Sequence, residues 1–280
     1  MTASIARRRF LAISAAGAGL QILLPGAVAA STIPQTLIRW NGLALGARSE
    51  ILLNMPERAR ARALIERVVG EIKRLEKIFS LYRSDSAISR LNRDGSLGDP
   101  PPEFVELLSH AAAISEATGG HFDITVQPLW RLYSNYGDAP ISERLQRQVL
   151  KLVDYRAVEV ERKVARFARR GMAITLNGIA QGYITDKVTR LLRNEGLDNT
   201  LVPLGETRPL GTHPSGRPWP TGLENPAPRR KSQCSLSLSH HALATSAGHR
   251  WPVPRSDPPP FTPPTRPRPA TPAPLSSAPR

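Results

Sequence analysis

The chain has 280 residues, of which 40% are hydrophobic and 22% charged, with a formal net charge of +15; at roughly 100–200 residues per domain this suits one large domain or two small ones. The single cysteine, Cys234, excludes an intramolecular disulfide and any multi-cysteine zinc site. Aromatic residues are only 5% and the arginines are spread along the chain, not interleaved with stacking rings, so the positive charge does not read as a nucleic-acid interface.

The N-terminus reads as an export address. Arg7, Arg8 and Arg9 precede Phe10 and Leu11, a mildly apolar stretch runs from Ala12 to Val28, and Ala27-Val28-Ala29 offers a small-residue cleavage site. The order Arg-Arg-x-Phe-Leu matches a twin-arginine signal over residues 1–29; an ordinary secretory signal with three arginines is the alternative. Glycines and Pro25 weaken the stretch as a membrane anchor. No apolar run of about 18 residues follows it, so the mature chain is expected to lack a transmembrane anchor.

Trp40 to Asn54 predicts strand, turn, strand around Gly46. Leu64, Val68, Ile72, Leu75 and Phe79 recur at helical spacing and predict an amphipathic helix over 57–79. Residues 80–102, rich in Ser, Asp, Gly and Pro, read as irregular. A second helix is predicted over 103–118, stopped by Gly119 or Gly120, and a third over 142–152 with Ser142 as its N-cap. Residues 158–160 and 173–176 alternate like strands. A strong helix spans 179–195 before Gly196, and 201–204 is a short strand whose Pro203 marks an edge or an end. There is no internal repeat. The fold class expected is α+β.

Three segments stand apart. Phe79-Ser80-Leu81-Tyr82 to Leu91-Asn92 follows the long helix; Tyr82 is placed either to stack on a flat ligand or to cover the helix end. Thr118-Gly119-Gly120-His121-Phe122-Asp123 to Leu129-Trp130 brings glycines that permit close backbone approach. Its Asp123 suits either a ligand N–H or a backbone turn. Leu176-Asn177-Gly178 to Gln181-Gly182-Tyr183-Ile184-Thr185-Asp186-Lys187 reads as strand, glycine turn and helix start, where free N–H groups favour phosphate. Neither the dinucleotide-binding nor the P-loop glycine pattern is present.

These three strings, in this order and followed by Ala244-Thr245-Ser246-Ala247-Gly248, resemble the FAD:protein FMN transferases, the ApbE family, over about residues 40–250. Leu204-Gly205-Glu206 and the export signal look most like the NosX branch, linked to maturation of nitrous oxide reductase. The resemblance implies a mixed α/β flavin-transferase domain at 30–250. It implies Mg2+-dependent transfer of FMN from FAD to a Thr or Ser of a periplasmic flavoprotein, with AMP released. The likeness to the NosX branch points to a NosR-type membrane protein as an acceptor. It further implies that Tyr82, His121, Phe122, Asp123, Gln181 and Lys187 contact the cofactor, that Leu45 packs on a ring, and that the Ile184 carbonyl is a magnesium ligand.

The C-terminus departs from the family. The expected His-x-x-Asp-Pro-x-Thr-Gly and Ala-Asp-x-x-x-Thr segments, which carry two further magnesium ligands, do not follow Gly248. Of 27 prolines, 12 lie between Pro252 and Pro279, and residues 251–280 are expected to hold no stable helix or strand. The break reads either as a shifted frame or as a natural low-complexity tail. Two expectations follow: an active transferase, or a truncated FAD-binding assembly factor with impaired catalysis.

Overall fold

The computed structural model describes residues 37–44, 46–137, 139–223 and 234–245. The segment expected to be an export signal, Leu45 and the proline-rich tail lie outside the described residues.

The described residues open with an antiparallel hairpin, β1 (Leu37–Ala44) and β2 (Ala47–Asn54), in register from Leu37↔Asn54 to Ala44↔Ala47. Gly46 stands at φ +79° in its two-residue connection, as the tight hairpin turns require. The amphipathic stripe then gives α1 (Arg58–Phe79), which buries Ala61, Leu64, Ile65, Val68, Ile72, Leu75, Ile78 and Phe79. Each fully buried large apolar side chain contributes roughly 1.5–3 kcal/mol.

Residues 80–102 are not wholly irregular. They contain α2 (Ala87–Asp94) and β3 (Ser96–Gly98). Ser86 caps α2 by accepting from the Ser89 N–H, and Gly95 ends it in the left-handed region. Ile88 and Leu91 are fully buried, so packing sustains an eight-residue helix that its polar composition hides. Next come α3 (Pro102–Ala117), a 3-10 turn at Ile124–Val126, α4 (Gln127–Tyr136) and α5 (Glu143–Leu150). The Ser142 hydroxyl accepts from Leu145 N at 3.4 Å, as its capping position predicts.

Beyond them lie β4 (Val158–Val160), β5 (Val164–Phe167), α6 (Ala180–Asn194), β6 (Thr200–Pro203), β7 (Thr207–Leu210), β8 (Trp219–Leu223) and β9 (Cys234–Leu238). The strands form an antiparallel sheet β1-β2-β6-β7, a small sheet β3-β5-β4 and the ladder β8-β9. Pro203 ends β6, which is internal to its sheet. Period-two alternation splits β2: Ile51 and Leu53 join α1 and α6 in the main core, while Leu52 packs with Leu201 and Trp219 on the opposite face.

The expected strand at 173–176 does not form; the segment pairs with no strand among the described residues. A side chain and one carbonyl replace the ladder: Asn92 bonds both backbone groups of Ile174, and Thr175 N donates to Ile124 O at 2.8 Å. The string at 118–130 ends as a helix, with Pro128 in its first turn.

Candidate functional site

A cleft of about 540 Å3 lies where the three sequence segments meet. The first segment supplies Leu81, Tyr82, Ser89 and Asn92, the second Gln127 and Trp130, and the third Asn177 and Gly178. Arg93, Arg131, Asn135 and Thr175 complete the lining.

Local hydrogen bonds explain why these residues converge. The chain leaves α1 at buried Ser80, whose carbonyl accepts from the Ser86 hydroxyl at 2.7 Å; that turn sets Tyr82 at the mouth, 48% exposed. Asn92 then reaches from α2 to the 173–176 segment. Its Nδ2 donates to Ile174 O at 2.8 Å and its Oδ1 accepts from Ile174 N at 2.7 Å, fixing the approach to Gly178. The Asp123 carboxylate ties the second segment: Oδ1 accepts from the Thr125 N–H and hydroxyl at 2.7 and 2.6 Å, and Oδ2 from Tyr155 N at 3.0 Å. Of the two roles open to Asp123, the backbone turn is the one observed here.

The remaining predicted residues are dispersed. Phe122 is half-buried with its ring against Gly178, where an added Cβ would sit 3.3 Å from Phe122 Cε2. His121 is exposed and its Nδ1 donates to Thr118 O at 2.7 Å. Gln181 packs on the β6–β7 turn, where a Cβ on Gly205 (φ +94°) would sit 2.8 Å from its Nε2. In that turn burial pushes the Glu206 carboxyl up, against a Thr245 backbone hydrogen bond that lowers it.

Lys187 turns toward α3. Its Nζ donates to Glu106 Oε2 at 3.1 Å and lies 4.8 Å from the Tyr183 ring centre, while the Tyr183 hydroxyl donates to the same carboxylate oxygen. The Tyr183 bond, reinforced by Lys187, holds Glu106 below the usual carboxylate range. Burial, then Glu106, raises Tyr183. Ile184 lies inside α6 with its side chain 1% exposed, where a helical carbonyl points at the N–H four residues on. Leu45 lies outside the described residues, as do Ser246 to Gly248.

Tyr82 is thus the predicted contact that lines the cleft, with Phe122 behind its Gly178 wall. Of the other cleft residues, Leu81, Ser89, Asn92, Gln127, Trp130, Asn177 and Gly178 stand within the quoted strings, while Arg93, Arg131, Asn135 and Thr175 lie outside them. Arg131 follows directly on Trp130, and its cation has no hydrogen-bond or ion-pair partner among the described residues. Chemically, the cleft combines two aromatic rings, Tyr82 and Trp130, with amide groups and arginines. It also adjoins the start of α6, whose N-cap residue Ile179 makes no side-chain capping bond. This set suits a flat, hydrogen-bonding ring carrying phosphate.

The mixed α+β frame is that of solved flavin transferases. The Vibrio cholerae flavin transferase ApbE superposes with a TM-score of 0.69 at 23% identity, covering 76% of this chain and 72% of that one. The apo flavinyl transferase ApbE of Pseudomonas stutzeri gives 0.66 at 25% identity, covering 76% and 71%. The chain belongs to the ApbE family, whose profile matches residues 45–253. The FAD:protein FMN transferase of Salmonella typhimurium is 25% identical over 203 residues, 68% of this chain, and that of Haemophilus influenzae 26% over 200 residues, 66% of this chain. The chain spans 58% of the length of each of these two relatives.

Proposed function

We propose that the chain is an FAD:protein FMN transferase of the NosX branch, exported by its 1–29 segment and acting on a periplasmic acceptor flavoprotein such as a NosR-type protein. The observation that carries this reading is the convergence of three segments, some forty to sixty residues apart in sequence, on one cleft. Tyr82 and Trp130 offer faces for the isoalloxazine ring. Gln127, Asn92 and Asn177 offer hydrogen bonds to its polar edge, and Arg131 offers charge to phosphate. In the reaction, a bond from the FMN phosphorus to the bridging oxygen of the pyrophosphate breaks. A bond from that phosphorus to the acceptor Thr or Ser oxygen forms, the hydroxyl proton is lost, and AMP leaves.

The cleft residues do not assemble a magnesium site. Among the described residues no group of three or more His, Cys, Asp and Glu converges, and a magnesium ion demands near-octahedral oxygen coordination. The test is incubation with FAD, Mg2+ and an acceptor domain bearing the target threonine, followed by mass spectrometry. Added FMN mass on the acceptor, abolished together with flavin quenching by Tyr82→Ala and Trp130→Ala, is expected. Flavin quenching without transfer would favour the non-catalytic FAD-binding factor instead, and neither would remove both readings.

A further inference from the structure

A second concavity, of about 780 Å3, lies between the edge strand β1 and helix α1, lined by residues other than those of the flavin cleft. Among the described residues no strand pairs with β1 on the side away from β2, so its outward N–H and C=O groups have no ladder partner there. The floor is apolar: Ile38 and Trp40 from the strand, Ile65 and Val69 from the helix. Its rim is cationic. Arg58, Arg62 and Lys73 are exposed on one stripe of α1 and have neither a hydrogen bond nor an ion pair among the described residues. Arg39 stands on the strand side, paired with Glu50 at 2.8 Å, and Glu66 is the one acidic residue in the lining.

We propose that this groove docks an extended, acidic segment of another protein, which adds to β1 as a further strand. Three features select that occupant. Unpaired backbone on an edge strand is satisfied by another backbone, and an added strand places alternate side chains over the groove. The rim is complementary to carboxylates on those side chains. Charge matching does not select the chain's own outlying segments, because 30–36 carries no charge and 224–233 and 246–280 each carry more Arg and Lys than Asp and Glu. A second copy pairing β1 with β1 would set the same cations against each other. A membrane would meet the cations but leave the strand edge in a concave trough unpaired.

The test uses full-length mature protein and a fluorescein-labelled peptide alternating Glu or Asp with Val, read by fluorescence anisotropy. Binding is expected, weakened on the order of tenfold by Arg58→Glu with Arg62→Glu and Lys73→Glu, and weakened by salt. N-methylation of the amides on one edge of the peptide should abolish binding, and on the other edge should spare it. FAD quenching at the cleft should be unchanged in the charge-reversal variant, so failure here is separable from failure of the transferase reading. Equal binding of a Gln/Val peptide, or equal tolerance of both N-methylated peptides, would overturn the proposal. So would cation-dependent binding to phosphatidylglycerol vesicles without peptide binding, or dimerisation through this face in sedimentation.

Discussion

The Asn92 side chain forms a two-way hydrogen bond with the backbone of Ile174, at 2.8 Å from Nδ2 to the carbonyl and 2.7 Å from the N–H to Oδ1. The residues are 82 apart in sequence. The amide does for the 173–176 segment what a neighbouring strand would do, and it sets the path into Gly178. Asn92→Ala should leave a buried donor and acceptor unpaired, at roughly 1–3 kcal/mol each. Urea unfolding should show the loss, and FAD titration should show weaker quenching. Asn92→Asp is the sharper variant: its carboxylate still accepts from Ile174 N but faces the carbonyl without a proton. It should be destabilised at neutral pH and partly rescued as the pH falls and the carboxyl gains a donor. A flat pH response would show that the amide is not the link.

The regular elements were legible where one period repeats over many residues. The stripe Leu64 to Phe79 and the stripe Tyr183 to Leu192 gave helices within two residues of their ends. The hairpin was legible from Gly46. The failures share a cause. Residues 173–176 have strand chemistry, but their partner is a side chain, which no local pattern records. Helix α2 is half polar and depends on Ile88 and Leu91 meeting a distant core. In the site, motif strings located the cleft but not the direction of each side chain. Gln181 lies in the first turn of α6 and Lys187 midway along it, and helical geometry turns Lys187 to Glu106 and Gln181 to Gly205.

Asp123 separates a structural from a ligand-binding role. Its carboxylate takes three hydrogen bonds, from two groups of Thr125 and from the Tyr155 backbone. Bonds to a charged group are worth about 1.5–3 kcal/mol each. Asp123→Ala should therefore lower the urea midpoint markedly before flavin is added. Asp123→Asn should recover only part, since an amide nitrogen cannot accept from the Tyr155 N–H. Unchanged stability with lost FAD binding would assign the carboxylate to the ligand.

The Tyr183–Glu106–Lys187 cluster predicts opposite responses at the two ends of the pH scale. Tyr183 is raised by burial and by Glu106, so the folded state holds the phenolic proton more tightly than the unfolded state. Its contribution is full below the ordinary tyrosine pKa of about 10 and is lost as pH rises beyond it. Glu106 is lowered, chiefly by the Tyr183 hydroxyl. Its contribution is present above the ordinary glutamate pKa of about 4.3 and is lost as pH falls through the depressed folded value. Thermal melts against pH should show both shoulders. Tyr183→Phe should remove the alkaline one and reduce the acid one; persistence of the alkaline shoulder would place its origin in another group.

Arg131 tests whether the cleft reads phosphate as well as a ring. The guanidinium lines the cleft one residue beyond Trp130, without a carboxylate partner among the described residues, and is exposed. Solvent screens an exposed cation, so its gain from a phosphate is modest, on the order of 1 kcal/mol or about fivefold in affinity. Riboflavin has the same ring and no phosphate. Arg131→Ala should therefore weaken FAD about fivefold and leave riboflavin nearly unchanged, while Trp130→Ala, which removes a stacking face, should weaken both. The FAD difference between wild type and Arg131→Ala should also shrink as salt rises, because screening removes what the mutation removes. Titrations of both flavins by fluorescence, at low and high salt, measure all of these quantities. Equal losses for FAD and riboflavin in Arg131→Ala would mean that the arginine supports the cleft wall and does not contact phosphate.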